Sequence, residues 1–137
     1  MRVPMKVDYG VRALIELAQH ERLNDPVTSA AIASRQGIPE PFLDHLLATF
    51  NKNGLIKSRS GPGGGHMLAR PSHEISLAMV METLDSNQSS LNCLDEPTDC
   101  VQYTVCTQRD VWQSVDQAIQ DVLSGTSIGD LANKKLL

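Results

Sequence analysis

No apolar run in this 137-residue chain approaches the about 20 residues that a membrane-spanning helix needs. The opening Met1-Arg2-Val3-Pro4-Met5-Lys6 has no apolar stretch behind it and no small-residue cleavage site, so a secretory leader is not expected. Together these point to a cytoplasmic protein without a membrane partner. An even cysteine count is also missing. Three cysteines do not make a closed disulfide framework, and in a reducing compartment clustered thiols serve more often as metal ligands or redox centres. No Ser/His/Asp arrangement or paired-carboxylate site is present, which leaves an enzymatic reading without machinery. Repeats and low-complexity tracts are absent. At this length the chain is one domain, or one domain with an extension, and a shared dimer interface would strengthen its modest core.

Charge of one sign is missing from two stretches. Residues 51–70 hold Lys52, Lys57, Arg59 and Arg70 and no acid. Residues 71–100 hold Glu74, Glu82, Asp85, Asp95, Glu96 and Asp99 and no Lys or Arg. The net charge of −4 therefore hides a basic end that suits a phosphate backbone and an acidic middle that would repel one.

What is present is mostly helical periodicity. Val7, Val11, Leu14, Ile15, Leu17 and Ala18 fall on one stripe and predict a helix over 7–20, with Asp8 as its cap. Asn24-Asp25-Pro26 breaks it. Thr28 predicts the cap of a short helix to Arg35, ended by Gly37. Pro39 and Pro41 open a helix over 39–53 whose buried side is Phe42, Leu43, Leu46, Leu47 and Phe50. Two helices joined by a tight turn make a helix-turn-helix, the second being the recognition helix. Strands over 55–59 and 66–70, joined by Ser60-Gly61-Pro62-Gly63-Gly64-Gly65, add a hairpin wing. No Gly-Lys-Ser/Thr follows the glycines, which removes a phosphate-cradling P-loop.

Ser76 predicts the cap of a helix to Leu84, and Asp85 to Ser90 reads as polar loop. The longest unbroken pattern is 108–123. Its stripe of Val111, Trp112, Val115, Ala118, Ile119, Val122 and Leu123 has little chain left to pack against. It reads as a two-fold dimer seam rather than an ordinary core helix. A short terminal helix over 127–136 completes a mainly α fold with a small β-hairpin wing. The division is 1–71 for the winged helix-turn-helix, 72–107 for a linking helix and cysteine-rich loop, and 108–137 for the dimerisation helix and tail.

Two constellations carry function. Glu40, Pro41, Asp44 and His45 are expected nearest the base edges of a double-stranded operator. Thr28, Lys52, Lys57, Arg59, Ser60, Gly63, Gly64 and His66 are expected along its backbone. For His66, wing contact and plain exposure both remain open. The second constellation is Cys93, Cys100 and Cys106, spaced C-x6-C-x5-C. That is not the paired C-x2-C of a zinc ribbon, and iron–sulfur cages tolerate wider spacing. Free thiols satisfy the spacing equally, although a loop rich in Asp, Glu, Pro and Thr is a poor home for structural cysteine.

Lys52-Asn53-Gly54-Leu55-Ile56 followed by Gly61-Pro62-Gly63-Gly64-Gly65, the opening Met1-Arg2-Val3, Asp8-Tyr9-Gly10-Val11-Arg12-Ala13-Leu14 and the three-cysteine loop before a long helix resemble one family of bacterial winged-helix regulators. Its members include IscR, NsrR, RirA and CymR. The resemblance spans the whole chain. It implies a homodimer on a pseudo-palindromic operator, with an iron–sulfur cluster as sensor of nitric oxide, iron or redox state. Where IscR-like members carry a histidine ligand, this chain has Arg109. Where NsrR-like members use an aspartate of the partner subunit, it has Asp8. That match implies Asp8 as fourth ligand and favours a 4Fe-4S over a 2Fe-2S cluster. The spacing between the first two cysteines is one residue longer here, and Ser60 stands where relatives place a wing arginine. CymR-like members imply the alternative: a cluster-free regulator controlled by cysteine oxidation or by a protein partner.

Overall fold

The computed structural model describes residues 2–85 and 105–134. Helix α1, Met5–Gln19, starts two residues before the stripe predicts. Pro4, at φ −60° and ψ 149°, serves as the cap, and its carbonyl accepts the Val7 and Asp8 N–H groups at 3.0 and 3.1 Å. Asp8 therefore caps nothing. It lies in the first turn and forks the guanidinium of Arg12 one turn on, at 3.0 and 3.1 Å. Such i,i+4 pairs are normal for exposed acids near a helix start.

Helix α2, Ser29–Gln36, follows the expected pattern: Thr28 Oγ1 accepts the Ala31 N–H at 3.1 Å, and Gly37 ends it at φ +66°. Helix α3, Glu40–Lys52, buries Leu43, Leu46, Leu47 and Phe50. Phe42 departs from the expected buried row. It is 39% exposed and stands edge-on to Tyr9 of α1, ring centres 5.4 Å apart. Its neighbour Leu43 takes the core-facing place, because a helix turns each residue about 100° from the last.

Strands β1, Ile56–Arg59, and β2, Gly65–Leu68, form an antiparallel hairpin with Ser58 opposite His66 and Arg59 opposite Gly65. β2 starts one residue before the expected position and stops at Leu68. Leu55 extends the pairing by accepting the Ala69 N–H at 3.0 Å. The hairpin is also stitched to the chain before α2. Val27 and His66 exchange both backbone hydrogen bonds, at 2.8 and 2.9 Å.

Helix α4, Leu77–Leu84, is capped by Ser76 Oγ on the Met79 N–H. Helix α5, Arg109–Ser124, buries none of its residues. Helix α6, Ile128–Ala132, is shorter than expected and starts with a reciprocal Ser127–Asp130 capping box. It returns to the body of the fold. Leu77 N–H donates to Thr126 O at 2.9 Å and Ile128 N–H to Ile75 O at 2.8 Å. Ile128 is fully buried in the same core as Leu14, Leu17, Phe50, Ile75 and Val80.

One charged residue sits inside that packing. The Glu16 side chain is 6% exposed. Its oxygens accept Arg35 Nη1 and Gln36 Nε2, both at 2.9 Å, with His20 Nε2 at 3.7 Å. Burial alone would push this carboxyl up. The hydrogen bonds from Arg35 and Gln36, with the charges of Arg35 and His20, outweigh burial and hold it below its ordinary 4.5. The network's stabilisation is therefore complete above pH 4.5 and is lost as pH falls through the lowered value. Glu16→Gln is expected to cost ~1–3 kcal/mol at neutral pH. Thermal unfolding of the variant should depend less steeply on pH below 4.5 than that of the native chain.

Candidate nucleic-acid interface and cysteine site

The residues expected to face DNA lie on α3, at the start of α2 and on the hairpin. Glu40, Pro41, Asp44 and His45 are all exposed on α3, opposite its buried row. Thr28 is exposed at the start of α2 while its hydroxyl holds the cap. Lys52, Lys57, Arg59, Ser60 and Gly63 are exposed, and Gly64 and His66 are half-buried. Arg59 lies on the opposite strand face from Ser58 and His66, as alternation requires. Basic groups thus flank the recognition helix, whereas two acids stand on it.

His66 is the best connected of these. Its main chain is paired to Val27, the residue before the Thr28 cap. Its ring Nδ1 lies 2.9 Å from Ser58 Oγ across the hairpin. Burial pushes the ring below its ordinary 6.5, and the Asp44 carboxylate of α3 pulls it part of the way back. The ring is neutral at pH 7 in the free protein. Sequence periodicity did not single out Ser58; the hairpin register is what pairs it with His66.

Of the cysteine constellation, Cys93 and Cys100 lie outside the described residues. Cys106 is half-buried and stands just before α5. Among the described residues no group of three or more His, Cys, Asp or Glu side chains could hold a metal ion. Asp8 is 46% exposed in its side chain, open to a second chain, but both of its oxygens are on Arg12. A ligand role requires Arg12 to let go of one or both. Arg109, the first residue of α5, brings no metal-binding nitrogen, since guanidinium stays protonated.

The long helix after Cys106 is apolar on an uncovered side. Val111, Trp112, Val115 and Val122 are 62%, 39%, 37% and 67% exposed, Ala118 is exposed and Ile119 half-buried. The Trp112 indole N–H is satisfied by Gln108 Oε1 at 3.1 Å, so only ring surface is offered outward. Among the described residues no helix is long and apolar enough to cross a membrane.

A helix-turn-helix whose second helix is bared on one side, followed by a glycine-tipped hairpin, defines a winged-helix DNA-binding regulator. The chain belongs to the Rrf2 family of iron-dependent transcriptional regulators, whose model matches residues 3–134. It is 33% identical over 135 residues to the HTH-type transcriptional regulator IscR of Pectobacterium atrosepticum, covering 98% of this chain and 81% of that one. Among solved structures, the fold matches CymR, the global cysteine regulator of B. subtilis, at TM-score 0.84 and 26% identity, covering 99% of each chain. It matches T. potens IscR at TM-score 0.77 and 30% identity, covering 100% of this chain and 94% of the other. The resemblance to the IscR and CymR group therefore holds, and the family is one of transcription regulators rather than enzymes.

Close approach demands glycine at the root of the wing. A Cβ on Gly65, whose φ is +153°, would lie 2.7 Å from the Val27 carbonyl carbon and oxygen. Gly65→Ala is expected to break the Val27–His66 pairing. It should lower stability by ~1–3 kcal/mol, read by chemical denaturation, and weaken DNA binding in gel-shift assays.

Proposed function

We propose that this protein is a homodimeric cytoplasmic regulator whose grip on a double-stranded operator is set by an iron–sulfur cluster. Cys93, Cys100 and Cys106 would hold the cluster with Asp8 of the partner subunit. The observation that carries this reading is the position of Cys106: its thiol stands at the foot of α5, whose apolar side is uncovered. Whatever that thiol grips sits where two protomers would meet. The Rrf2 description as iron-dependent regulators supports an iron-based group there. A bound cluster supplies thiolate-held iron that responds to nitric oxide, iron supply or redox state, and the 4Fe-4S form suits an oxygen ligand at the fourth site.

The protein's own residues do the rest. Val111, Trp112, Val115, Ala118, Ile119 and Val122 pack against the same face of the partner subunit, burying rings and branched chains that water now covers. Helix α3 of each protomer enters the major groove with Glu40, Pro41, Asp44 and His45 toward base edges, and the two half-sites lie about 34 Å apart. Carboxylates there accept from cytosine amino groups. Thr28, Lys52, Lys57, Arg59, Ser60, Gly63, Gly64 and His66 follow the backbone. When the cysteine segment and Asp8 are tied together across the dimer, the angle between the two α3 helices is fixed. When the tie is lost, Asp8 returns to Arg12 and half-site spacing relaxes.

A second reading is a cluster-free member of the family, switched by cysteine oxidation or a protein partner. The engagement of both Asp8 oxygens by Arg12 favours it, as does the likeness to CymR.

Protein isolated without oxygen is expected to be brown, with iron and sulfide in it. Replacing Cys93, Cys100 and Cys106 by Ala should bleach it and change operator affinity, and Asp8→Ala should speed cluster loss without dissociating the dimer. Colourless native protein whose affinity ignores those substitutions selects the cluster-free reading. Separately, Trp112→Glu is expected to raise the dimer dissociation constant by about 100-fold, ~3 kcal/mol, in sedimentation experiments.

A further inference from the structure

We propose that His66 is the residue that joins the three DNA-facing elements, and that it takes up a proton from solvent when DNA binds. Operator affinity would then rise as pH falls. The inference rests on the DNA-binding part of the reading above and not on the cluster.

The geometry places His66 at a junction. Its main chain is locked to Val27, so the wing is fixed to the start of α2. Its ring holds Ser58 across the hairpin. The Asp44 carboxylate of the recognition helix raises the proton affinity of the ring through its charge. The charged and titratable groups on the elements around it are Glu40, Asp44, His45 and Lys52 of α3, Lys57 and Arg59 flanking Ser58, Asp25 before the Val27 bridge, and Lys6, Asp8, Tyr9, Arg12 and Glu16 of α1 with His20 at its end. Among these it is Asp44 whose charge reaches the ring.

In the free protein the half-buried ring stays neutral, since burial outweighs the single carboxylate. Phosphates brought to the wing add negative charge beside it and raise its proton affinity. Between the free and bound values the complex holds more protons than the separate partners. Linkage then makes binding tighter at lower pH. Full uptake by one subunit corresponds to about tenfold in affinity per pH unit within that window.

The test uses the full-length dimer and a duplex that it selects from a random DNA pool. Affinity for that duplex is expected to rise by roughly tenfold from pH 7.5 to 6.0. Calorimetry in buffers of different ionisation heat should record proton uptake. His66→Gln should flatten both, whereas His73→Gln, at an exposed histidine outside the proposed interface, should leave both. Ser58→Ala removes only the hydroxyl and should keep the uptake. Should His66→Gln fail to fold, NMR titration of the His66 ring in the native protein decides instead: its pKa should climb when the duplex is added. Selected DNA bound with pH-independent affinity, a His66 titration unmoved by DNA, or a slope abolished by His73→Gln would each overturn the proposal. Failure to select any DNA would defeat the regulator reading itself.

Discussion

A carboxylate buried among apolar side chains has to be answered on every side, and Glu16 of α1 is answered from α2. Arg35 and Gln36, the last residues of that helix, supply the donors. An unpaired charge in this place would be strongly destabilising, so the pair defines one seating of α2 rather than a range of them. Gly37 and Ile38 follow at once and lead into α3. The rotation of the recognition helix therefore depends on a contact made one helix upstream. Tightening comes from a second bond: Arg12, one turn before Glu16, donates from Nη1 to the Gln36 carbonyl at 3.3 Å.

α1 is the spine that turns this local contact into a global one. It packs against α2, α3, α4, β2 and the returning α6, so its buried side is shared by nearly every element of the fold. α5 meets the body at α4, with no fully buried residue and an exposed apolar side. A helix with that composition is stable only when something covers it. The cysteine segment joins α4 to α5 in sequence.

Much of this was legible from residues alone. Thr28, Ser76 and Gly37 sit in their expected capping places, because a cap depends on a hydroxyl or a missing Cβ at one backbone position. The recognition helix, the hairpin and the long helix likewise follow from periodicity and punctuation. The misses share a cause. Asp8 has the chemistry of a cap, but Pro4 had already started the helix and Arg12 offered a stronger partner. Phe42 has the hydrophobicity of a core residue, but it meets Tyr9 at the edge. Glu16 carries no local signal, because Arg35 and Gln36 meet it only in the fold. The terminal helix was expected, but the burial of Ile128 follows from the Ser76–Ser127 bridge, which returns it to the core. Each depends on a partner distant in sequence, which local pattern does not contain. The cysteine site was legible only as composition, and Cys93 and Cys100 lie outside the described residues.

The acidic balance of the chain ceases to be a paradox once the surface is divided. Lys52, Lys57 and Arg59 are exposed around α3, and the wing offers backbone N–H groups that carry no formal charge. Glu40 and Asp44 are exposed on α3, and in the proposed docking they face the base edges. Acids at that place repel every duplex through its phosphates, and only a sequence with amino donors in register repays the repulsion. Non-specific binding is penalised in full, while specific binding is penalised in part. With few cations, such a surface gives up raw affinity and gains discrimination. That exchange suits a regulator which must ignore most of a genome.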